Sequence, residues 1–156
     1  MPEQLPRLDE RIIELLSADA RMTNAALAAA LGVAPSTAHA RTRTLVDRGI
    51  LSGFHAAVDQ GALGRGLQAM IGVTLRPGQR QESIRAFAQD IRVHPDVIQL
   101  FFVGGVDDFL VHIAVDGSSA VRRFVVDHLS SRHSVASTRT SIIFEYHRNA
   151  VASDFV

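Results

Sequence analysis

The chain has no cysteine and no lysine. Without Cys there can be no disulfide, no thiolate zinc site and no cysteine nucleophile. Without Lys there is no Walker-type phosphate loop and no Schiff-base chemistry. All sixteen basic residues are Arg, matched by sixteen acidic ones, so the net charge is zero. Any nucleic-acid binding must then come from a local patch and from pairing of subunits. Also lacking are a hydrophobic run long enough to span a membrane and a charged-then-apolar leader. The expectation is a soluble protein of the cytoplasm, with no membrane partner. What is present is 156 residues that are 47% hydrophobic, enough for one domain or two small ones with true cores.

Residues 23–48 organise the N-terminal part. Thr23 suits an N-cap, and Leu27, Ala30 and Leu31 recur behind it at helical spacing. Gly32 stops that helix, and Pro35 suits the first turn of the next. In the second helix Ala38, Thr42, Leu45 and Val46 form the buried stripe. At 100° per residue, Ser36, His39, Ala40 and Arg43 face outward, flanked by Thr37, Thr44, Arg41 and Arg48. This pattern predicts a helix-turn-helix whose exposed face carries small, polar and basic residues able to reach phosphates and base edges in a major groove. From Ala20 to Val46 there are three arginines and no acidic residue. Two amphipathic helices around a Gly turn also occur in proteins that never touch DNA.

A preceding helix carries Leu8, Ile12, Ile13, Leu15 and Leu16, with Asp9 expected as its cap. After Gly49, residues 53–59 alternate weakly, as a short β-hairpin or wing would, and the three glycines of residues 60–66 read as a hinge. Strands are expected at Leu67–Leu75, Val97–Val103, Phe109–Val115 and Ser137–Tyr146. A helix is expected from about Gln81 to Arg92, and another after Ser118 or Ser119 as cap. The fold class is therefore α+β: an N-terminal winged helix-turn-helix, then a ferredoxin-like βαββαβ sandwich. The domain division is 1–52 for DNA binding, 53–66 as wing and hinge linker, 67–148 for effector binding and oligomerisation, and 149–156 as tail. The two central strands, 97–103 and 109–115, are apolar on both faces, so one face is expected to join two subunits.

Taken in order, LDERIIELLSADARMTNAALAAALGV, PSTAHARTRTLVDRGIL, SGFHAAVDQGALG, GGVDDFLVHIAVD and STRTSIIFEYHR resemble the Lrp/AsnC, or feast/famine, family of transcription regulators over nearly the whole chain. The resemblance implies a homodimer, with octamers as a further assembly, and an amino acid or related small molecule that tunes DNA binding. Many relatives carry Ser where this chain has Ala34, which leaves Ser36 to cap the recognition helix by a later start.

The DNA-binding candidates are Ser36, Thr37, His39, Ala40, Arg41, Arg43 and Arg48, with Arg43 first. Arg41 projects toward the support helices, so a structural role and a phosphate contact both stay open for it. In GGVDDF, the residues read first as a plain hairpin turn, and second as carboxylates for an ammonium group beside a Gly-rich turn for a carboxylate. The family resemblance carries the effector site to Gly105, Val106, Asp107, Asp108, Ser141 and Ile142, with His128 and Ser130 nearby and Asp108 as the ammonium partner. No cofactor and no metal site are expected, since the seven histidines show no paired ligand spacing. Two other readings remain: an enzyme like the tetrapyrrole decarboxylases that share this scaffold, for which His112 and His128 would line a cavity, and an effector-independent architectural DNA-binding protein.

Overall fold

The computed structural model describes residues 5–78 and 81–145. The chain divides into two compact units, parting between Ala57 and Val58. The N-terminal unit holds three helices: α1 (Arg7–Ala18), α2 (Asn24–Leu31) and α3 (Pro35–Asp47). Ile12, Leu16, Leu27, Ala28, Ala38 and Leu45 close its core. Thr23 caps α2 as expected, its Oγ1 accepting from the Ala26 N–H at 3.2 Å. Gly32 ends the helix at φ +67°, a left-handed conformation that other residues adopt at a cost. Asn24 Nδ2 then donates to Pro35 O at 2.8 Å and ties the start of α2 to the start of α3.

Two expectations fail here. Pro6, not Asp9, stands at the cap of α1, and Asp9 lies within the first turn, buried at 2% exposure. Its side chain is drawn inward by the packing of α3 against α1 and is not left beside the free N–H groups. Residues 53–59 contain no strand, so the expected hairpin does not form there. Phe54 and Val58 stay 50% and 55% exposed, so weak alternation has found neither a pairing edge nor an apolar surface to bury it. The glycine-rich stretch beyond is a closed turn. Asp59 Oδ1 accepts from the N–H groups of Gly61 (2.8 Å) and Ala62 (3.2 Å), and Arg65 Nη1 donates to Pro95 O at 2.9 Å. Those bonds make residues 59–66 part of the second unit.

That unit comprises β1 (Leu67–Leu75), α4 (Gln81–Arg92), β2 (Val97–Phe102), β3 (Phe109–Val115), α5 (Ser118–Phe124) and β4 (Val135–Ile143). A π-helical stretch, Val125–Ser130, continues α5. Gly117 occupies the α5 cap position, so neither Ser118 nor Ser119 caps it. Tyr146 and the 149–156 tail lie outside the described residues. The antiparallel sheet has the order β2-β3-β1-β4, the expected split βαβ arrangement. It corrects the placement of β2, which forms an edge; β1 and β3 take the centre. Ala69, Ile71, Val73, Phe109, Val111 and Ile113 face the helices and meet Phe87, Ile91, Phe124 and Leu129. The opposite face is mixed rather than apolar. Met70 and Leu110 lie there among Gln68, His112, Arg139 and Ser141, because β3 and β4, the strands flanking β1, bring polar residues into register. His112 Nε2 donates to Gln68 Oε1 at 2.8 Å, and its ring is buried. No helix among the described residues is long and apolar enough to cross a membrane.

Between the helices, the Asp96 N–H donates to His94 Nδ1 at 3.2 Å. His94 Nε2 therefore carries the neutral ring's proton and points it at His128 Nε2, 3.2 Å away. Burial first, and then the neighbouring His128, lower the pKa of His94, with Asp96 opposing; burial alone lowers that of His112.

These contacts set two expectations. Thr23→Ala lowers stability by about 1 kcal/mol and Leu45→Ala, at a site with no exposure, by about 2–5 kcal/mol, both read by urea denaturation. Because the folded pKa of His94 and of His112 lies below 6.5, the unfolded chain binds more protons as the pH falls beneath that value. Unfolding free energy is thus retained above it and declines below it, and His94→Gln makes the decline shallower.

Candidate functional site

Helix α3 starts at Pro35, with Ala34 in the cap position and no side-chain cap bond. Ser36 is thus already inside the first turn and does not take the capping role expected of it. With Ala38 and Leu45 buried, Ser36, Ala40 and Arg43 occupy the opposite, exposed face. Thr37, Thr44 and Arg48 lie along one flank. The Thr44 hydroxyl is turned back to Ala40 O at 2.9 Å. His39 stands on the other flank, lining a groove with Leu16, Met22, Leu27 and Phe54.

The two central arginines of α3 differ sharply. Arg43 is 75% exposed, and its Nε lies 3.8 Å from Asp47 Oδ2, one turn on and also exposed. Asp47 shares the outward face and escaped the sequence reading, because it follows directly after the stretch free of acidic residues. Arg41 lies on the side of Ala38 and Leu45, and its Nη1 is 3.6 Å from Oδ2 of the buried Asp9 in α1. An ion pair inside the protein thus engages Arg41 while its side chain keeps 44% exposure.

In the second unit, the turn between β2 and β3 places its two carboxylates differently. Asp108 Oδ2 accepts from the Leu75 N–H at 2.6 Å, where the β1–β4 register shifts between Thr74 and Leu75. One oxygen of the expected ammonium partner is therefore engaged in holding a bulge. Asp107 lies over Gly72. A Cβ there would fall 2.5–2.8 Å from its carboxylate atoms, so only glycine leaves room. Arg139 Nη2 reaches Asp107 Oδ2 at 2.6 Å, and Arg139 is paired directly with Gly72 across β1 and β4. Arg139 and Gly72 are neighbours of Asp107 that the linear pattern did not reveal. They are sixty-seven positions apart, and only the strand register brings them together.

The predicted effector residues do not converge in one chain. Asp107 and Ser141 share the face of the sheet away from the helices, with Gly105 and Val106 at the exposed tip of the turn. Ile142 pairs with Ala69 and belongs to the helical side. His128 packs on His94 and Phe124 in the helical layer, and Ser130 ends the π-helical stretch. His112 and His128 are thus on opposite sides of the sheet and cannot line one tetrapyrrole cavity within a protomer. Among the described residues, no group of three or more His, Cys, Asp or Glu is placed to hold a metal ion.

Comparison with known proteins fits both units. Residues 5–52 match the winged helix-turn-helix DNA-binding family, and residues 68–150 match the Lrp/AsnC ligand binding domain. The chain is 46% identical over 149 residues to the HTH-type transcriptional regulator AldR of Mycobacterium tuberculosis, spanning 96% of this chain and 83% of that protein. The crystal structure of MtbAldR superposes with a TM-score of 0.82 at 40% identity, covering 97% of this chain and 100% of the other. A transcriptional regulator from Neisseria meningitidis, solved as its L-Met complex, gives a TM-score of 0.85 at 27% identity over 97% of each chain. With both units matched in order, this chain belongs to the Lrp/AsnC family of DNA-binding transcription regulators.

Proposed function

We propose that this regulator works in the cytoplasm as a homodimer, reads duplex DNA through the outward face of α3, and is tuned by an amino acid. The observation that carries the DNA reading is the division of α3 into a buried Ala38–Leu45 side and an exposed side bearing Ser36, Ala40 and Arg43. Arg43 is the base or phosphate contact, with Ser36 and Thr37 near the helix N-terminus, where phosphate is favoured. Its ion pair with Asp47 is exposed on both sides, and such pairs are weak enough to exchange for DNA. Two copies present two such helices to an inverted repeat.

For the effector, the supporting feature is the pair Asp107–Arg139. A carboxylate and a guanidinium held together on a sheet face can part to take the ammonium and the carboxylate of an α-amino acid. The Neisseria meningitidis regulator solved with L-Met is consistent with that ligand class. The dimer contact is the sheet face carrying Met70, Leu110 and the 42% exposed Phe101, and octamers would require further contacts between dimers.

The test is a DNA-shift titration with the protein's own upstream region against scrambled DNA, with and without pooled amino acids. A selective shift that one pool alters supports the reading. Equal binding to both DNAs regardless of pool identifies an architectural protein instead. Two variants sharpen it. Arg43→Ala weakens selective binding roughly 10- to 100-fold, about 1–3 kcal/mol. Gly72→Ala displaces Asp107 and removes the amino-acid response while leaving ligand-free DNA affinity intact.

A further inference from the structure

Helix α3 carries two arginines two residues apart, each beside a carboxylate, and the burial of those carboxylates distinguishes them. Asp47 is 69% exposed, so water solvates it when Arg43 leaves. Asp9 is 2% exposed, and its Oδ1 is out of solvent with no hydrogen-bond partner among the described residues. Arg41 is its ion-pair partner, at 3.6 Å, with a side chain 44% exposed. Removing the cation from a buried carboxylate leaves a charge that nothing compensates, and that penalty exceeds what one phosphate contact returns.

We propose that Asp9 is a positioning residue for DNA reading: it holds Arg41 on the protein and so leaves the groove to Arg43. Helix α1, which lies outside the helix-turn-helix itself, thereby selects which guanidinium of α3 is presented. The pair also fixes the rotation of α3 about its axis, since Arg41 projects from the same side as Ala38 and Leu45. This assignment rests on α3 being the DNA-reading helix.

The experiment measures binding of the full-length chain to one duplex of fixed mixed sequence between about 50 and about 200 mM salt. Asp9→Asn keeps the shape and removes the charge. The freed Arg41 then reaches phosphate, and the slope of log K against log salt steepens by about 0.9 per protomer. The double variant Asp9→Asn/Arg41→Gln returns to the wild-type slope, and Arg41→Gln alone keeps it. An unchanged slope in a folded Asp9→Asn protein overturns the proposal. So does a slope shallower by about 0.9 in Arg41→Gln, which would place Arg41 on DNA already. Should Asp9→Asn fail to fold, the slope of Arg41→Gln decides. A DNA-free readout separates the two layers of the argument. In urea, Arg41→Gln is expected to be less stable than the double variant, because only the single variant leaves the buried carboxylate unpaired. Strictly additive effects overturn the Asp9–Arg41 coupling whatever the DNA result. Absence of wild-type DNA binding at every salt would instead count against α3 as the reading helix.

Discussion

Strand β1 is hydrogen-bonded along both edges, to β3 from Leu67 to Val73 and to β4 from Gln68 to Leu75. The geometry of the C-terminal unit depends on that double registration. It turns Ala69, Ile71 and Val73 toward the helices and Gln68, Met70 and Gly72 toward the other face. A slip of one residue would exchange the two sets, bury a glutamine and remove the glycine from beneath Asp107. The bulge at Thr74/Leu75 is held by Asp108, so the turn bearing the candidate effector residues is fastened to the strand that sets the register.

Charge in this protein is placed more tellingly than it is counted. With equal numbers of acidic and basic residues, no overall field steers the chain to DNA. What matters is the surroundings of each arginine. Arg43 and Arg41 lie in one helix and both meet an aspartate, yet one aspartate is solvated and the other is not. Arg139 meets a carboxylate that is 12% exposed, at the short distance of 2.6 Å. In α3, the exposure of each aspartate therefore separates a releasable contact from a fixed one.

Errors in reading the chain cluster at helix starts and at weakly patterned segments. Asp9, Ser36 and Ser118 are all residue types that favour caps, but Pro6, Ala34 and Gly117 occupy the cap positions. Capping contributes about 1 kcal/mol, and helix packing outweighs it when it sets where a helix begins. The glycines of residues 60–66 suggested looseness, whereas Asp59 caps that stretch into a turn. Strong periodic segments fared better: β1, β3 and α4 have the expected limits, because alternation and the helical stripe arise directly from burial.

By itself, the sequence determined the βαββαβ order, the helix-turn-helix with its Thr23 cap and Gly32 stop, the outward position of Arg43 and the family to which the chain belongs. The elements, the cap and the stop depend on neighbours within a turn or a strand, and the family on the order of motifs along the chain, so spacing in the sequence is sufficient information. Packing and strand pairing make β2 an edge strand, bring Asp9 to Arg41, and gather Gly72, Asp107 and Arg139 on one face. Those contacts join residues more than thirty positions apart in sequence. Which side chains meet across such a distance is set by strand register and helix packing.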